Sequence, residues 1–371
     1  MVMRLHSKLA TLSPVVHGAR DYGELARLGL PPTEVIDFSA NSNPYGPHPA
    51  VLAAVQAALD PATLAHYPDR DCLALRAAIA AADQTAIDRI LPGNGATELI
   101  HLLALALVEP GSRHLIIGPT FGQYAHAIRL LGGEVIQYHP ANSEFRFDAE
   151  AVAAAVWLWQ PDGIWLCNPN NPTGQQWRAA ELAHLRAADP AQRAWWVIDE
   201  SYRYFADTPT LVAGWAEGDN LIILRSLTKD QALAGLRLGY VLAAPAVIAA
   251  LRAAQPTWSV NTLAQVAGVA ALQAPVLAWR QQSLDCLRRH AVELWARLTE
   301  LGYTVLPSDT TYTLVAVENA AVFRRQLLQQ EVQVRDCTSF GLPQYVRIAA
   351  RRPEENERLV AAVKSSLIQS A

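Results

Sequence analysis

Lys229 lies just past the apolar run Leu221-Ile222-Ile223-Leu224, inside Ser226-Leu227-Thr228-Lys229-Asp230-Gln231-Ala232-Leu233-Ala234-Gly235-Leu236-Arg237. A lysine at the end of a buried strand is desolvated, which disfavours its charged form and lowers its pKa. The neutral amine is a nucleophile that condenses with an aldehyde to a Schiff base. Ser226 and Arg237 flank it and offer a hydroxyl and a guanidinium to a phosphate. Asp199 follows a second apolar run, Trp195-Trp196-Val197-Ile198, with Tyr202 three residues on. A carboxylate buried at a strand end is costly without a partner. A protonated pyridine nitrogen is such a partner, and each pKa unit by which Asp199 keeps it protonated is worth about 1.36 kcal/mol. Tyr202 is in reach of a hydroxyl on the same ring. Asn171 follows the run ending at Cys167, in Asn168-Pro169-Asn170-Asn171-Pro172-Thr173-Gly174, and offers an amide to a ring oxygen.

Gly93-Asn94-Gly95-Ala96-Thr97-Glu98 is a glycine-containing turn opening a helix. Helix N-termini present unpaired N–H groups and a partial positive charge, so they receive phosphate. Together with Ser226 and Arg237, the turn supplies three sources of phosphate donors. Phe121, after Gly118-Pro119-Thr120, is placed to lie flat on a planar ring. Arg335 and Arg347 each stand in an apolar strand, and a buried guanidinium wants a planar anion; a substrate carboxylate fits Arg347. Each residue also has a purely structural reading: a surface lysine, an aspartate N-cap, a turn, an internal salt bridge. The combination of a desolvated lysine, a pyridine-pairing carboxylate and a phosphate cradle points to pyridoxal 5'-phosphate (PLP).

Short apolar runs alternate with helical patterns from Arg89 to Ala243. The strands are continuous apolar runs, the pattern of a mostly parallel sheet covered by helices on both faces. In such a sheet the loops after the strands form the ligand crevice, and Asn171, Asp199 and Lys229 all follow strands. From about Pro245 the texture changes to long helices, Asn261 to Leu272 and Val276 to Leu301. Short strands follow at Tyr303–Leu306, Thr313–Val317, Val332–Arg335 and Val346–Ala349. The expected organisation is α/β: a large domain over 48–250, and a smaller α+β domain from 251–371 together with 1–47, whose N-terminal segment covers the substrate.

The chain has 371 residues, with 30 Lys+Arg against 34 Asp+Glu. This balance lacks the basic stripe that nucleic acid or an anionic membrane surface requires. The four cysteines have no metal or disulfide spacing, which predicts free thiols in a reducing cytoplasm and no metal site. Residues 1–10 do not read as a signal peptide. No uncharged run reaches the roughly 18 apolar residues of a membrane helix.

Asn171, Asp199, Tyr202, Ser226, Lys229, Arg237 and Arg347, in this order, resemble the PLP-dependent class I/II aminotransferase family of fold type I, over nearly the whole chain. The resemblance implies that Lys229 is the Schiff-base lysine and general base. It places Asp199 on the pyridine nitrogen, Tyr202 and Asn171 on the ring hydroxyl, and Gly95, Ala96, Thr97, Ser226 and Arg237 around the phosphate. Phe121 stacks on the ring, and Arg347 binds carboxylate. Tyr67, in His66-Tyr67-Pro68-Asp69, would reach the neighbouring subunit's cofactor, implying a homodimer with shared sites.

His17-Gly18, Asp37-Phe38-Ser39-Ala40-Asn41-Ser42-Asn43-Pro44 and Arg335-Asp336-Cys337-Thr338-Ser339-Phe340-Gly341 look like the L-threonine-O-3-phosphate decarboxylases of cobalamin synthesis; histidinol-phosphate aminotransferases are near relatives of that group. Asp230-Gln231 replaces an aromatic commonly found after the lysine. The resemblance makes His17, Asn43 and Arg335 candidates for a substrate phosphate. The expected reaction is decarboxylation of threonine phosphate to aminopropanol phosphate. The alternative is transamination of histidinol phosphate or a related amino acid with 2-oxoglutarate. A third reading is a non-catalytic ligand-sensing domain.

Overall fold

The computed structural model describes residues 12–189, 193–206, 208–210 and 220–370. Among these the strands run β1 (Ile36–Asp37), β2 (Ile90–Gly93), β3 (Arg113–Ile117), β4 (Glu134–Tyr138), β5 (Gly163–Cys167) and β6 (Trp195–Asp199). They continue with β7 (Leu221–Ser226), β8 (Gly239–Leu242), β9 (Tyr312–Ala316), β10 (Val332–Gln333), β11 (Arg335–Asp336) and β12 (Tyr345–Ala349).

A seven-stranded sheet has the order β2-β8-β7-β6-β5-β3-β4, parallel except for β8, which is antiparallel to both neighbours. Every residue of β5, β7 and β8 is buried, as expected of runs rich in Ile, Leu and Val covered on both faces. Because β5, β6 and β7 run in the same direction, Cys167, Asp199 and Ser226 emerge at one edge. β8 turns back from that edge, so the loop carrying Lys229 crosses directly above it. Ser226 pairs with Gly239 across the β7–β8 ladder. A Cβ on Gly239 would lie 2.7 Å from Arg225 O and 3.1 Å from Ala96 N, so glycine here lets the start of helix Gly95–Leu107 press against the sheet.

A second sheet, β11-β12-β9, is antiparallel. The helix Ala274–Glu300 buries Leu284, Leu287, Ala291, Leu294 and Leu298, a stripe at alternating three- and four-residue spacing. These residues join Leu359, Val360 and Val363 of the C-terminal helix and Val315, Val346 and Ile348 of the smaller sheet in one core.

Three local departures from the sequence reading have clear causes. Tyr303–Leu306 is no strand, only the single bridge Val305–Val315. Pro307 follows with no N–H to offer, and the Thr313 hydroxyl takes Leu306 O at 2.6 Å. Val332–Arg335 splits: β10 pairs in parallel with β1, while β11 pairs with β12. A short helix, Pro61–Ala65, forms because Asp60 caps it, accepting from the backbone N–H of Ala62 and Thr63 at 2.9 and 3.0 Å. No single helix among the described residues is long and apolar enough to cross a membrane.

Candidate active site

A cavity of about 790 Å³ opens at the strand-end edge of the large sheet. The ends of β5–β7 contribute Cys167, Asp199, Ser226 and, just beyond, Asn171, Tyr202, Thr228 and Lys229. Ala96, Thr97, Phe121 and Arg237 also line it, and His17, residues 39–42, Arg335 and Arg347 complete the lining.

Burial pulls the Lys229 amine down from 10.5 to about 8; the charges of Arg347 and Arg237 add to this, and Asp37 and Asp199 partly oppose it. Asp199 is almost wholly buried. Its Oδ2 accepts from the Tyr124 hydroxyl at 2.7 Å and its Oδ1 from Ser201 N–H at 2.9 Å. Burial raises its pKa against those two donors. Among the described residues Asp199 has no cation in ion-pair contact, so it is a buried carboxylate held ready for one that enters the cavity. Tyr202 packs its ring 5.2 Å from Tyr312, and burial holds its hydroxyl protonated.

The phosphate side is built on backbone. Gly95 opens its helix at φ +76°, and a Cβ there would fall 2.5 Å from Arg237 Nη2. Only glycine leaves the guanidinium its place beside the helix N-terminus. Ser226 Oγ and Thr228 Oγ1 share a hydrogen bond of 2.6 Å. Phe121 stands edge-on to Tyr124 at 5.8 Å and tilted against His17 at 5.5 Å.

PLP fits these residues: a desolvated amine for its aldehyde, an unpaired buried carboxylate for its ring nitrogen, and a helix N-terminus with Arg237 and Ser226 for its phosphate. When bound it supplies an electron sink for the bond broken at the substrate's α-carbon. The chain's part is to lower the amine's pKa so that its neutral form is accessible, to keep a carboxylate where positive charge is wanted, and to orient the substrate.

Arg335 and Arg347 lie directly opposite each other across β11–β12. Arg347 donates from Nη1 to Asn171 Oδ1 and from Nη2 to Ser39 O, and its buried Nε has no partner. With its Oδ1 thus occupied, Asn171 has its Nδ2 to offer the cavity it lines. Arg335 donates to Val16 O at 2.9 Å and Ser339 Oγ at 2.6 Å; burial and the neighbouring Arg347 charge lower it to about 10. Neither arginine is ion-paired with a carboxylate among the described residues.

One expected site residue, Asn43, is placed differently, and Tyr67, expected to serve a neighbouring subunit, lies on the surface. Asn43 does not line the cavity: its Nδ2 donates to Asp230 O at 3.1 Å and Ser283 Oγ at 2.8 Å. The turn at Pro44 sends residue 43 inward and leaves residues 39–42 facing the cavity. Tyr67 is 75% exposed, stacked on Trp258 at 4.1 Å, and away from its own chain's cavity. His17 lines the cavity at 2.9 Å from Gln123 Nε2, but burial, Arg335, Lys229 and Arg237 lower its pKa. It therefore serves as a neutral hydrogen-bonding group more readily than as a cation.

Sequence reasoning missed Tyr124, Thr228, Gln123, Ser39 and Asn41. Tyr124 lies three residues after Phe121 at a helix start, a spacing that puts both on one side. The others carry no local signal.

Sheets of this order, with a lysine loop over the strand ends and a helix N-terminus for phosphate, belong to the fold-type I class of PLP-dependent enzymes. The Aminotransferase class I and II family matches residues 33–363, and the chain is a member of it. It is 36% identical over 362 residues to a histidinol-phosphate aminotransferase of Symbiobacterium thermophilum, covering 96% of each chain. It is 34% identical over 357 residues to a threonine-phosphate decarboxylase of Salmonella typhimurium, covering 95% of this chain and 96% of that one. Six further relatives at 31–34% identity carry the first of these names. The fold superposes on the crystal structure of histidinol-phosphate aminotransferase from Sinorhizobium meliloti with TM-score 0.87 at 22% identity, over 100% of this chain and 99% of that one.

Proposed function

We propose that this PLP enzyme acts on a small amino acid carrying both a carboxylate and a phosphate, and that it decarboxylates L-threonine O-3-phosphate to aminopropanol phosphate. The observation that carries this reading is the opposed pair Arg335 and Arg347. Like charges directly across a ladder repel; Asp336 offsets Arg335 in part, but no carboxylate is ion-paired with either arginine among the described residues. A substrate with two anionic ends offsets both with one molecule. Arg347, held by Asn171 and Ser39 and lining the cavity, meets the carboxylate. Arg335, steered by Val16 O and Ser339, and the neutral His17 meet the phosphate. Lys229, titrating near neutrality, accepts or returns the proton at the α-carbon side of the site.

Which bond breaks depends on which substituent of the α-carbon stands perpendicular to the ring, a matter of substrate pose. The names of most reported relatives favour the second reading, transamination of histidinol phosphate; a dicarboxylate amino acceptor such as 2-oxoglutarate would also satisfy both arginines. One experiment separates the two. Purified protein is given threonine phosphate, and separately histidinol phosphate with 2-oxoglutarate; carbon dioxide and the cofactor's absorbance are followed. Decarboxylation predicts carbon dioxide release with the cofactor ending as the aldehyde. No carbon dioxide from threonine phosphate, with conversion of the cofactor to its amine form by histidinol phosphate, would overturn the first reading and establish the second. Lys229→Ala should abolish the yellow absorbance of covalently bound cofactor in either case.

The assembly belongs to the same proposal. Exposed Tyr67, stacked on Trp258, is offered to a second copy in a homodimer with shared sites. A monomeric mass by light scattering would refute this.

A further inference from the structure

Asn43 lies outside the cavity, and its surroundings give it a different task. We infer that Asn43 is a positioning residue for Lys229: its backbone holds the Lys229–Asp230 peptide and its side chain the following Asp230–Gln231 peptide, so that the lysine side chain leaves the backbone in the direction of the cofactor. The inference rests on Lys229 being the cofactor's lysine.

Lys229 O accepts from the backbone N–H of Asn43 at 2.9 Å, from Ala232 N–H at 3.2 Å, and from Ser42 Oγ at 3.4 Å. The next carbonyl, Asp230 O, accepts from Asn43 Nδ2 at 3.1 Å. Two successive carbonyls are thus held by one residue far away in sequence, 187 positions from Asp230. Asn43 is itself anchored. Its Nδ2 also donates to Ser283 Oγ at 2.8 Å, on the long helix, and its Oδ1 accepts from Tyr45 N–H at 3.1 Å. It is 3% exposed, so these bonds face little competition from water.

The lysine loop needs such an external hold. Beyond the Leu227 N–H to Leu238 O bond the chain has left the β7–β8 pairing, and its internal backbone bonds are turns such as Ala232 N–H to Lys229 O and Leu236 N–H to Leu233 O. A lysine reaches its target through a flexible four-carbon stem, so the orientation of its own peptide decides where the amine goes. A displacement of about 1 Å in a reacting group costs about 10²-fold in rate. The same short segment begins at Ser39, whose carbonyl accepts from Arg347. Residues 39–43 therefore run from the carboxylate-binding arginine to the backbone of the lysine, and the Arg347 end and the Lys229 end are set by one piece of chain.

The test uses the holoenzyme with Asn43→Ala, which keeps the backbone bond to Lys229 O and removes the side-chain bond to Asp230 O. Expected are a kcat about 10-fold lower with KM little changed, and a shift of about half a pH unit in the midpoint at which the yellow absorbance titrates. Faster amide hydrogen exchange is expected in the peptide spanning residues 228–232. Ser283→Ala is the control: it removes the helix contact of Asn43 and should lower stability without moving the midpoint. If Asn43→Ala does not fold, Asn43→Ser, too short to span to Asp230 O, is read by the same midpoint and exchange. An unchanged midpoint and unchanged exchange in the Asn43 variant, or an equal shift in Ser283→Ala, would overturn the inference. Covalently bound yellow cofactor persisting in Lys229→Ala would instead refute the assignment of the lysine, so the two failures are distinguishable.

Discussion

Replacing Lys229 with methionine should make the cofactor-free protein more stable at neutral pH, by an amount that vanishes in alkali. The wild-type amine titrates at about 8 in the folded chain against an ordinary 10.5. At about 1.36 kcal/mol per pKa unit, burying it charged costs the fold about 3 kcal/mol, an upper figure because the side chain is only part-buried. Below pH 8 the lysine is charged in both folded and unfolded chains, and the whole cost is present. Between pH 8 and 10.5 the folded chain has released the proton while the unfolded chain still binds it. Wild-type stability therefore rises with pH relative to the variant across that window. Above 10.5 the amine is neutral in both states and the difference disappears. Methionine matches the length of the stem and carries no charge, so packing is disturbed little. Urea unfolding of both proteins, freed of cofactor, in steps from pH 6 to 10.5, measures the gap. A gap independent of pH, or a Lys229→Met protein less stable than wild type at pH 7, would refute the claim that desolvation depresses this lysine.

Four further outcomes are expected. Gly95→Ala places a Cβ at φ +76° against Arg237 Nη2; the left-handed backbone alone costs about 1–2 kcal/mol, and cofactor dissociation followed by fluorescence should show about tenfold weaker binding. Asp199→Asn should lower kcat by about 10²–10³-fold, on the scale of removing one preorganised electrostatic group; steady-state kinetics would show it with Km little affected. Arg347→Lys should behave as a loss rather than a conservative change, because an ammonium lacks the planar fork that serves Asn171, Ser39 and a carboxylate together; kcat/KM should fall mainly through KM. Arg225→Met should destabilise the protein by about 3–5 kcal/mol in denaturant unfolding, since Arg225 is buried between Glu200, at 2.8 Å, and Asp83, and both carboxylates would lose their shared cation.

The sequence by itself pointed to the cofactor. Three apolar runs ending at Cys167, Ile198 and Leu224 announce strands buried on both faces, and a polar residue that follows such a run emerges at the sheet edge where ligands bind. Asn171, Asp199, Ser226 and Lys229 are legible for that reason, and the cofactor follows from their types. Local signals of this kind depend only on neighbours in the chain.

The tertiary structure decided the rest, because it depends on residues that meet from far apart. Tyr124 reaches Asp199 across a helix–sheet junction 75 residues long in sequence. Arg335 and Arg347 look like separate candidates along the chain, yet the β11–β12 register sets them directly opposite each other. Asn43 shares a loop with Asn41, and only the path of that loop decides that Asn41 faces the cavity while Asn43 turns inward to the lysine's backbone. The pKa of Lys229 has the same origin: burial, the larger cause, follows from its place beside a buried strand, and Arg347 and Arg237, brought beside it by the fold, lower it further.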